Sequence, residues 1–381
     1  MKITVAINAL FLTSILFMLL FVGNAKINDF YLFYFIIIFV SGLILFNTNK
    51  TFFTSIDLIN LFILGVFFIH NLYSNEFMEY ENYEYYFWPL NAIFLYLILI
   101  FYTMELNNKF FIKISLLMFV LFFYLLISPS IIDFFTLDTP RYSFIFGPNM
   151  YYRVLSILLI VILYLVQKIS NKIFLTIIFL LIPYIIALLH TGSRGALFAL
   201  VIVLLYFMRM YMKLTIKTIV FVSLLAISSL VFYIISNNMY DTRLLLLDYS
   251  NGSSIGVRLT AYIYAYEHFF ELLLSIGMTG SEFDKLLPLG DHFYYPHNFI
   301  LELFYYYGFI GFISIILIFA SLFLIFTHLY LYRKNDYAYL IYILIILLLS
   351  ASFSGDFNDN YSLLSILLIL VRVLFIKNKS T

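Results

Sequence analysis

The sequence predicts an all-α polytopic membrane protein, and three observations lead to that class: the composition, the apolar runs and the placement of charge. Of 381 residues, 64% are hydrophobic and only 11% are charged, whereas soluble domains carry about 25% charged residues. A soluble fold of this size would lack polar surface. Because apolar runs recur from end to end, we expect one membrane domain, residues 1–381, with no soluble appendage.

Twelve apolar runs approach or exceed the roughly 20 residues that a helix needs to cross the hydrocarbon layer. The first follows only Met1-Lys2 and lacks a small-residue cleavage site, so a retained span is predicted rather than a signal peptide. The third run is short and the tenth is long. The predicted spans are residues 4–22, 29–46, 56–70, 88–104, 110–128, 150–167, 172–190, 194–211, 215–235, 298–326, 337–353 and 359–376.

The orientation of these spans follows from the basic residues, which collect on the cytoplasmic side of a membrane. With the N-terminus inside, 14 of the 21 basic residues face the cytoplasm and 7 face outward. This bias predicts a bacterial inner-membrane protein with both termini in the cytoplasm. The outward residues are Lys26, Arg141, Arg153, Arg194, Arg243, Arg258 and Lys285.

The outward basic residues are mostly arginine, which topology alone does not require. Five of the seven outward residues are Arg, against three of the fourteen inward ones. The planar guanidinium offers two parallel donors that match phosphate, whereas lysine acts as a point charge. The bias therefore indicates anion binding on the outer face.

Several other classes of function are disfavoured by the sequence. No acidic or basic residue lies near the middle of a predicted span, whereas ion-coupled transporters usually keep such groups there. The net charge of +1 indicates no nucleic-acid partner. With no cysteine, thiol catalysis and thiolate metal sites are excluded. We expect neither metal nor cofactor, and Asp356-Phe-Asn-Asp359 is interpreted as a polar turn.

The largest segment outside the predicted spans is an enlarged periplasmic loop, residues 236–297. Within it, residues 255–275 predict a helix that Ser253 or Ser254 caps. The helix mixes aromatic side chains with Arg258, Glu267 and Glu271. It is too polar to span a membrane, so we expect it to lie along the membrane surface.

Two motifs precede predicted spans on the outer face. The first runs from Arg141 to Gly147-Pro148-Asn149, where Pro148 and Asn149 suit a helix start. The second is His190-Thr-Gly-Ser193-Arg194-Gly195. Its glycines allow a tight re-entry into the membrane, and Ser193 can cap the next helix. A cation such as Arg194 is unfavourable at that helix N-terminus, because the helix dipole is positive there, unless an anion completes the site. The alternative interpretation is a loop arginine whose side chain reaches lipid headgroups.

Two further motifs follow in the large loop and at its end. Gly256-Val-Arg258 precedes Gly277-Met-Thr-Gly280, and His297-Asn298 opens the tenth span eleven residues before Gly308-Phe-Ile-Gly311. The glycines one turn apart in that span predict close helix packing. A neutral imidazole at position 297 could accept a proton from a sugar hydroxyl. The alternative is a helix-capping His-Asn pair with no catalytic role.

These motifs, taken in order, resemble the superfamily of O-antigen ligases and polymerases. The resemblance covers about residues 141–311 and rests on Arg-x5-Gly-Pro-Asn, Ser-Arg-Gly, Gly-x-Arg with Gly-x-x-Gly, and His-Asn-x9-Gly-x-x-Gly. It implies a GT-C-like fold and a metal-independent glycosyltransferase. The implied donor is an undecaprenyl-pyrophosphate-linked oligosaccharide on the periplasmic side.

The resemblance also implies roles for single residues. Arg194 and Arg258 would hold the pyrophosphate leaving group, with help from Arg141. His297 would act as base on the acceptor hydroxyl or orient it. The polar residues of the same motifs are predicted to contact substrate: Asn149, Ser193 and Asn298.

Polymerase and ligase share this donor chemistry, and polymerase is the preferred prediction. The position after Gly311 is Phe312, where the ligase pattern has a small or β-branched residue. A ligase that transfers the glycan to lipid A–core is the alternative, followed by protein O-oligosaccharyltransferases and capsule polymerases. A lipid-linked glycan flippase would need polar groups along a path through the membrane, which the spans lack. Expected partners are membrane lipids, a chain-length regulator and the flippase of the same pathway.

Overall fold

All regular secondary structure in the described part of the chain is helical. The computed structural model describes residues 2–21, 54–73, 84–136, 148–169, 174–191, 193–211, 254–275, 277, 298–328, 337–353 and 357–378. Twelve helices lie in these ranges: α1 (Lys2–Phe21), α2 (Ser55–Tyr73), α3 (Glu84–Glu105), α4 (Lys109–Thr136), α5 (Pro148–Ile169), α6 (Phe174–His190), α7 (Arg194–Tyr211), α8 (Ser254–Glu267), α9 (Phe269–Leu274), α10 (Phe299–Thr327), α11 (Ala338–Phe353) and α12 (Phe357–Asn378).

Ten of the twelve predicted spans coincide with helices of the structure. The other two, residues 29–46 and 215–235, lie outside the described residues. Four described segments are long and apolar enough to cross a membrane: Trp88–Glu105, Lys109–Asp133, Asn149–Ile169 and Phe299–Thr327. Shorter apolar helices lie at five of the remaining positions. The fold is therefore that of a polytopic helical membrane protein, and the number of twelve crossings stays a prediction.

Helix α5 is the central helix of the bundle. Every residue from 150 to 166 is buried, and α5 packs against α4, α6, α7 and α11. An apolar helix covered on all sides belongs to the interior of a protein. The start of α5, where Asn149 and Arg153 lie, is therefore enclosed by other helices.

Polar contacts show which helix ends lie together. At one end of the bundle, Arg372 of α12 donates through Nε to Asp57 Oδ1 of α2 over 2.7 Å. The hydroxyl of Tyr96 donates to the same carboxylate oxygen over 2.6 Å. These contacts join the start of α2 to the end of α12, which the sequence assigned to one side, and to the middle of α3.

A second set of contacts joins helix ends that the sequence assigned to the opposite side. The indole Nε1 of Trp88, near the start of α3, donates to the hydroxyl of Tyr307 over 2.9 Å. That hydroxyl donates in turn to Asn71 Oδ1, near the end of α2, over 2.7 Å. Helix α2 therefore runs antiparallel to α3 and to α12, which agrees with the predicted order of these three spans.

The helix predicted over residues 255–275 is divided in two. Helix α8 ends at Glu267 and α9 begins at Phe269, with His268 at φ −104° and ψ 23° between them. The His268 ring contacts Glu271 Oε2 through Nδ1 over 2.9 Å on the exposed side. The prediction of a single helix here is wrong, because one residue leaves the helical conformation.

Helix α10 is broken at Gly308, which corrects the prediction of one continuous span over residues 298–326. Gly308 has φ 47° and ψ −120°, a conformation that essentially only glycine adopts. A Cβ on Gly311 would lie 1.7 Å from the carbonyl oxygen of Leu303. Eight residues of straight helix would separate these positions by about 12 Å. The two parts of α10 are therefore sharply bent against each other.

The two parts of α10 have different surroundings. Residues 299–307 are buried apart from Ile300, which is partly buried, whereas Phe309, Phe319 and Phe323 of the second part are exposed. Residues 309–327 rise about 28 Å, which is enough to cross the hydrocarbon layer. The first part is thus a short internal helix, and the second part alone has the length and surface of a membrane span.

The end of α9 fills the break in α10. Phe309 N donates to the carbonyl oxygen of Ser275 over 3.3 Å, and a Cβ on Gly308 would lie 2.2 Å from that oxygen. Gly277, at φ 117°, packs on the backbone of Tyr306 in the same way. Gly277 of the third motif and Gly308 of the fourth therefore allow the end of α9 to touch the break in α10.

We expect Gly308→Ala to lower the thermal unfolding midpoint of the detergent-solubilised protein. A side chain in left-handed backbone costs about 1–2 kcal/mol, and the added Cβ would collide with the Ser275 carbonyl. Gly65→Ala in α2 is the matched control, because a Cβ there meets nothing within 4 Å. Alanine in a helix interior gains roughly 0.5–1 kcal/mol over glycine. Equal midpoints for Gly308→Ala and the unsubstituted protein would contradict the assigned break.

Candidate functional site

The structure describes three of the predicted site residues with their side chains: Asn149, Ser193 and Asn298. Arg194 is the first residue of α7 and Arg258 lies in α8, and only their helical positions are described. Arg141 and His297 lie outside the described residues. The site is therefore built from the described neighbours of the predicted arginines and histidine.

Asn149 and Ser193 are in direct contact, although 44 residues separate them in the chain. The Ser193 hydroxyl donates to Asn149 Oδ1 over 2.7 Å, which joins the start of α7 to the start of α5. The Ser193 carbonyl accepts a hydrogen bond from Ala196 N over 3.1 Å, as an N-cap residue does. The first and second motifs thus meet at these two side chains.

The turn between α6 and α7 is fixed at its start by contacts of His190. At its start, the His190 ring lies 3.3 Å from Asp133 Oδ2 through Nε2 and 3.1 Å from the Ser130 carbonyl through Nδ1. Both partners belong to the end of α4. His190 is 4% exposed, so this contact is shielded from solvent. The residue that opens the second motif therefore has a packing role that spacing alone did not reveal.

Gly195 lets α7 approach α5 closely. A Cβ on Gly195 would lie 2.1 Å from the hydroxyl oxygen of Tyr152. That hydroxyl is 3.0 Å from Ser350 Oγ in α11. This contact is consistent with the expectation that glycine permits a tight arrangement after Arg194. The hydroxyl of a tyrosine in the central helix occupies the space that a side chain at position 195 would need.

Arg153, one of the outward cations of the sequence, has a side chain that is enclosed by the bundle. Its side chain is 1% exposed and lies one turn after Asn149 in α5. Its Nε donates to Ser350 Oγ over 2.7 Å and its Nη1 to Asn360 Oδ1 over 3.2 Å. This guanidinium joins the starts of α5 and α12 to the end of α11. No sequence pattern pairs these positions, so the contact could not be predicted.

Asn298 caps α10 and joins it to two neighbouring helices. Its Oδ1 accepts from Ile300 N over 3.0 Å and from Leu301 N over 3.2 Å. Its Nδ2 donates to the Tyr262 hydroxyl over 2.6 Å and to the Ser352 carbonyl over 3.4 Å. The capping role weighed in the sequence is therefore present, and substrate contact by this amide stays a prediction.

Glu302 is a second charged residue that the motifs did not single out. It is fully buried one turn after Asn298, on the same side of the internal helix. An acidic residue in a first turn is favoured by the helix dipole. A carboxylate enclosed at this depth is a rare feature, and a lone Glu within an apolar run gave no motif from which to predict it.

These contacts define an outer polar cluster made of Asn149, Arg153, Ser193, Asn298, Ser350 and Asn360. It lies where α5, α7, α10 and α12 begin and α11 ends. Position 194 adjoins Ser193, and position 258 is one turn before Tyr262, the partner of Asn298. The starts of several helices at one place bring together the positive ends of their dipoles, which favour an anion.

Metal binding is the other chemistry that clustered polar groups can supply. Among the described residues, no group of three or more His, Cys, Asp or Glu side chains is arranged to hold a metal ion. The described part of the cluster instead offers amide, hydroxyl and guanidinium groups. These suit hydrogen bonding to oxyanions and sugar hydroxyls.

We expect Asn149→Ala and Ser193→Ala to be non-additive in unfolding experiments. Each single substitution leaves the other polar side chain without this hydrogen-bond partner. The loss of unfolding free energy in the double variant should therefore be smaller than the sum of the losses in the two single variants. Contacting residues show interaction energies of about 0.5–3 kcal/mol. Ser193→Ala combined with Thr13→Ala is the additive control, since Thr13 bonds to Ser115 between α1 and α4. Additivity of the Asn149 and Ser193 changes would show that the 2.7 Å contact is not made.

Comparison with known proteins adds one family. Residues 176–316 match the family model described as O-Antigen ligase. The match runs from α6 into the second part of α10 and includes the motifs around Arg194, Arg258 and Asn298. No curated protein and no solved structure matches the chain. Over this range the chain is similar to the O-antigen ligase family, which supports the resemblance to the O-antigen polymerase and ligase superfamily.

Proposed function

We propose that this protein is an O-antigen polymerase that joins undecaprenyl-pyrophosphate-linked repeat units on the periplasmic side of the bacterial inner membrane. One observation carries the proposal: the first and second motifs are in direct contact through the Ser193–Asn149 bond of 2.7 Å. Asn298 of the fourth motif donates to the Ser352 carbonyl at the end of α11, two residues after the Ser350 that binds Arg153. The family match over residues 176–316 supports the general class of reaction.

The diphosphate of the donor is proposed to bind at the helix starts of this cluster. The helix dipoles give the starts of α5, α7 and α10 partial positive charge, which favours an anion there. Arg194 and Arg258 would grip the diphosphate through bidentate hydrogen bonds, with Arg141 assisting. The anion would also offset the unfavourable position of the Arg194 cation at a helix N-terminus.

The reaction transfers the growing glycan to a hydroxyl of the acceptor sugar. The acceptor oxygen forms a bond to the anomeric carbon of the donor, while the bond from that carbon to the diphosphate oxygen breaks. The electron pair of the broken bond stays on the diphosphate, and His297 would accept the acceptor proton. Arginines fixed before the reaction stabilise the charge that develops on the leaving group.

Polymerase is preferred to ligase because the chain departs from the ligase pattern at Phe312. The Phe312 ring lies 6.0 Å from Phe269 and 6.3 Å from Phe304, so it attaches α9 to α10. Transfer of the glycan to lipid A–core is the second candidate, and the family description favours it. Both candidates use the same donor chemistry.

A flippase is less well supported by the distribution of charge. Among the described helices, Arg153 and Glu302 are buried at the end that holds the outer polar cluster, and the Asp57–Arg372 pair is buried at the other end. The described middles of these helices hold no buried charged side chain, so in them no row of charged groups leads from one end to the other. A chain-length regulator and the flippase of the pathway are proposed as partners.

We expect Arg194→Ala and Arg258→Ala each to reduce glycan transfer by about 10²–10³-fold, the usual effect of removing one donor to a developing oxyanion. Arg209→Ala is the matched control, because Arg209 lies at the other end of α7, 5.8 Å from the Tyr342 ring. Transfer should be measured with purified protein and a lipid-linked oligosaccharide, after membrane insertion has been checked. Full activity in either of the first two variants would remove the diphosphate assignment.

Deletion of the gene should distinguish the two candidate reactions. A missing polymerase leaves single repeat units attached to lipid A–core, because ligation still proceeds. A missing ligase leaves full-length chains on the lipid carrier. Gel electrophoresis of the surface glycan separates these outcomes, and unchanged long chains on lipid A–core would contradict both candidates.

A further inference from the structure

Helices α8 and α9 expose a continuous apolar stripe that the proposed reaction does not use. Its members follow the three-to-four-residue spacing of one helix face, and Tyr266, Phe270 and Leu274 are 85%, 74% and 82% exposed. Large apolar side chains are seldom this exposed along a whole helix face. The stripe consists of Leu259, Tyr262, Ile263, Tyr266, Phe270 and Leu274.

The same two helices present two other faces. One face packs on the internal part of α10, with Ala261, Ala265 and Leu272 buried against Leu301, Phe304 and Tyr305. The other exposed face is polar and carries Glu267 and Glu271, the latter 79% exposed. The apolar stripe therefore lies between the protein on one side and a charged, water-facing surface on the other.

The stripe continues onto the surface of a helix that can span a membrane. Leu274 lines a hollow of about 310 Å³ together with Phe309 and Ile310 of α10. Phe309 and Ile313 begin the exposed apolar surface of the second part of α10, at 55% and 40% exposure. Because that surface needs a hydrocarbon environment, the adjoining stripe lies at the edge of the same environment.

We propose that the apolar stripe of α8 and α9 is seated in the outer-leaflet surface of the lipid bilayer, with Glu267 and Glu271 toward water. The arrangement of an apolar face, a charged face and aromatic side chains is that of helices that lie in the membrane interface, with apolar residues about 5–10 Å below the headgroups. A protein partner on the stripe would leave the adjoining α10 surface uncovered, whereas a bilayer covers both.

The proposal has a consequence for the donor, which rests on the proposed function. Arg258 immediately precedes Leu259, the first residue of the stripe. Seating the stripe in the bilayer surface places the backbone of position 258 near the layer of lipid phosphates. The diphosphate of a membrane-anchored donor could then reach the arginine while its isoprenoid chain stays in the hydrocarbon.

Site-directed spin labelling tests the position of the stripe, because the chain contains no cysteine and each introduced thiol is unique. Neighbouring positions form matched pairs: Tyr266→Cys with Glu267→Cys, and Phe270→Cys with Glu271→Cys. The labelled full-length protein is reconstituted into vesicles of phosphatidylethanolamine and phosphatidylglycerol. At each position, the collision rate of the nitroxide with oxygen, which is more concentrated in hydrocarbon than in water, is compared with its collision rate with a water-soluble nickel chelate.

Oxygen should dominate at positions 266 and 270, and the nickel chelate at positions 267 and 271. Nickel access at all four positions would overturn the proposal, since the stripe would then face water. Poor access of both reagents at 266 and 270, or spin–spin broadening there, would indicate a protein partner or a second copy and would also overturn it. The measurement does not depend on glycan transfer, so inactivity of the protein would not alter its outcome.

Discussion

The interaction on which the site depends is the burial of Arg153 at the start of the central helix. A guanidinium that is 1% exposed donates to Ser350 and Asn360, which belong to two other helices. Burying a charge is costly unless hydrogen bonds compensate for the lost water. These hydrogen bonds therefore fix the starts of α5 and α12 relative to the end of α11. This arrangement places Asn149, one turn before Arg153, within hydrogen-bond distance of Ser193.

A second constraint is the break at Gly308, which connects the outer helices to the bundle. The internal part of α10 ends at Tyr307, whose hydroxyl contacts both Trp88 and Asn71. Two residues later, Phe309 N donates to the carbonyl oxygen of Ser275, at the end of α9. Because irregular backbone is tolerated at membrane depth only where protein or water satisfies it, the Ser275 carbonyl is part of what makes the break possible. The helix that carries Arg258 is thus attached to the helix that Asn298 begins.

The distribution of polar contacts explains how an apolar chain supports a polar site. In the described residues, buried charges lie near helix ends, as Asp57 with Arg372 and as Arg153 with its two partners. The described helix middles hold no buried charge, and their apolar side chains pack as a continuous core. Keeping charge at helix ends limits the cost of desolvation and leaves the positive dipole ends of several helices at one face. Positions 194 and 258 of the motifs adjoin that face.

The helical class and ten of the twelve helix positions followed from the sequence, because hydrophobic periods and cap residues are local signals. The opposite directions of α2 and α3 also followed from the order of the runs. Only the tertiary structure decided that Arg153 is enclosed, that Gly308 breaks α10 and that Ser193 bonds to Asn149. These features depend on partners 33 to 207 residues away in the chain, such as Ser275 for Gly308 and Asn360 for Arg153. Contacts of that range leave no periodic trace in the sequence, since each partner is free to be any residue that fits the packed helices around it.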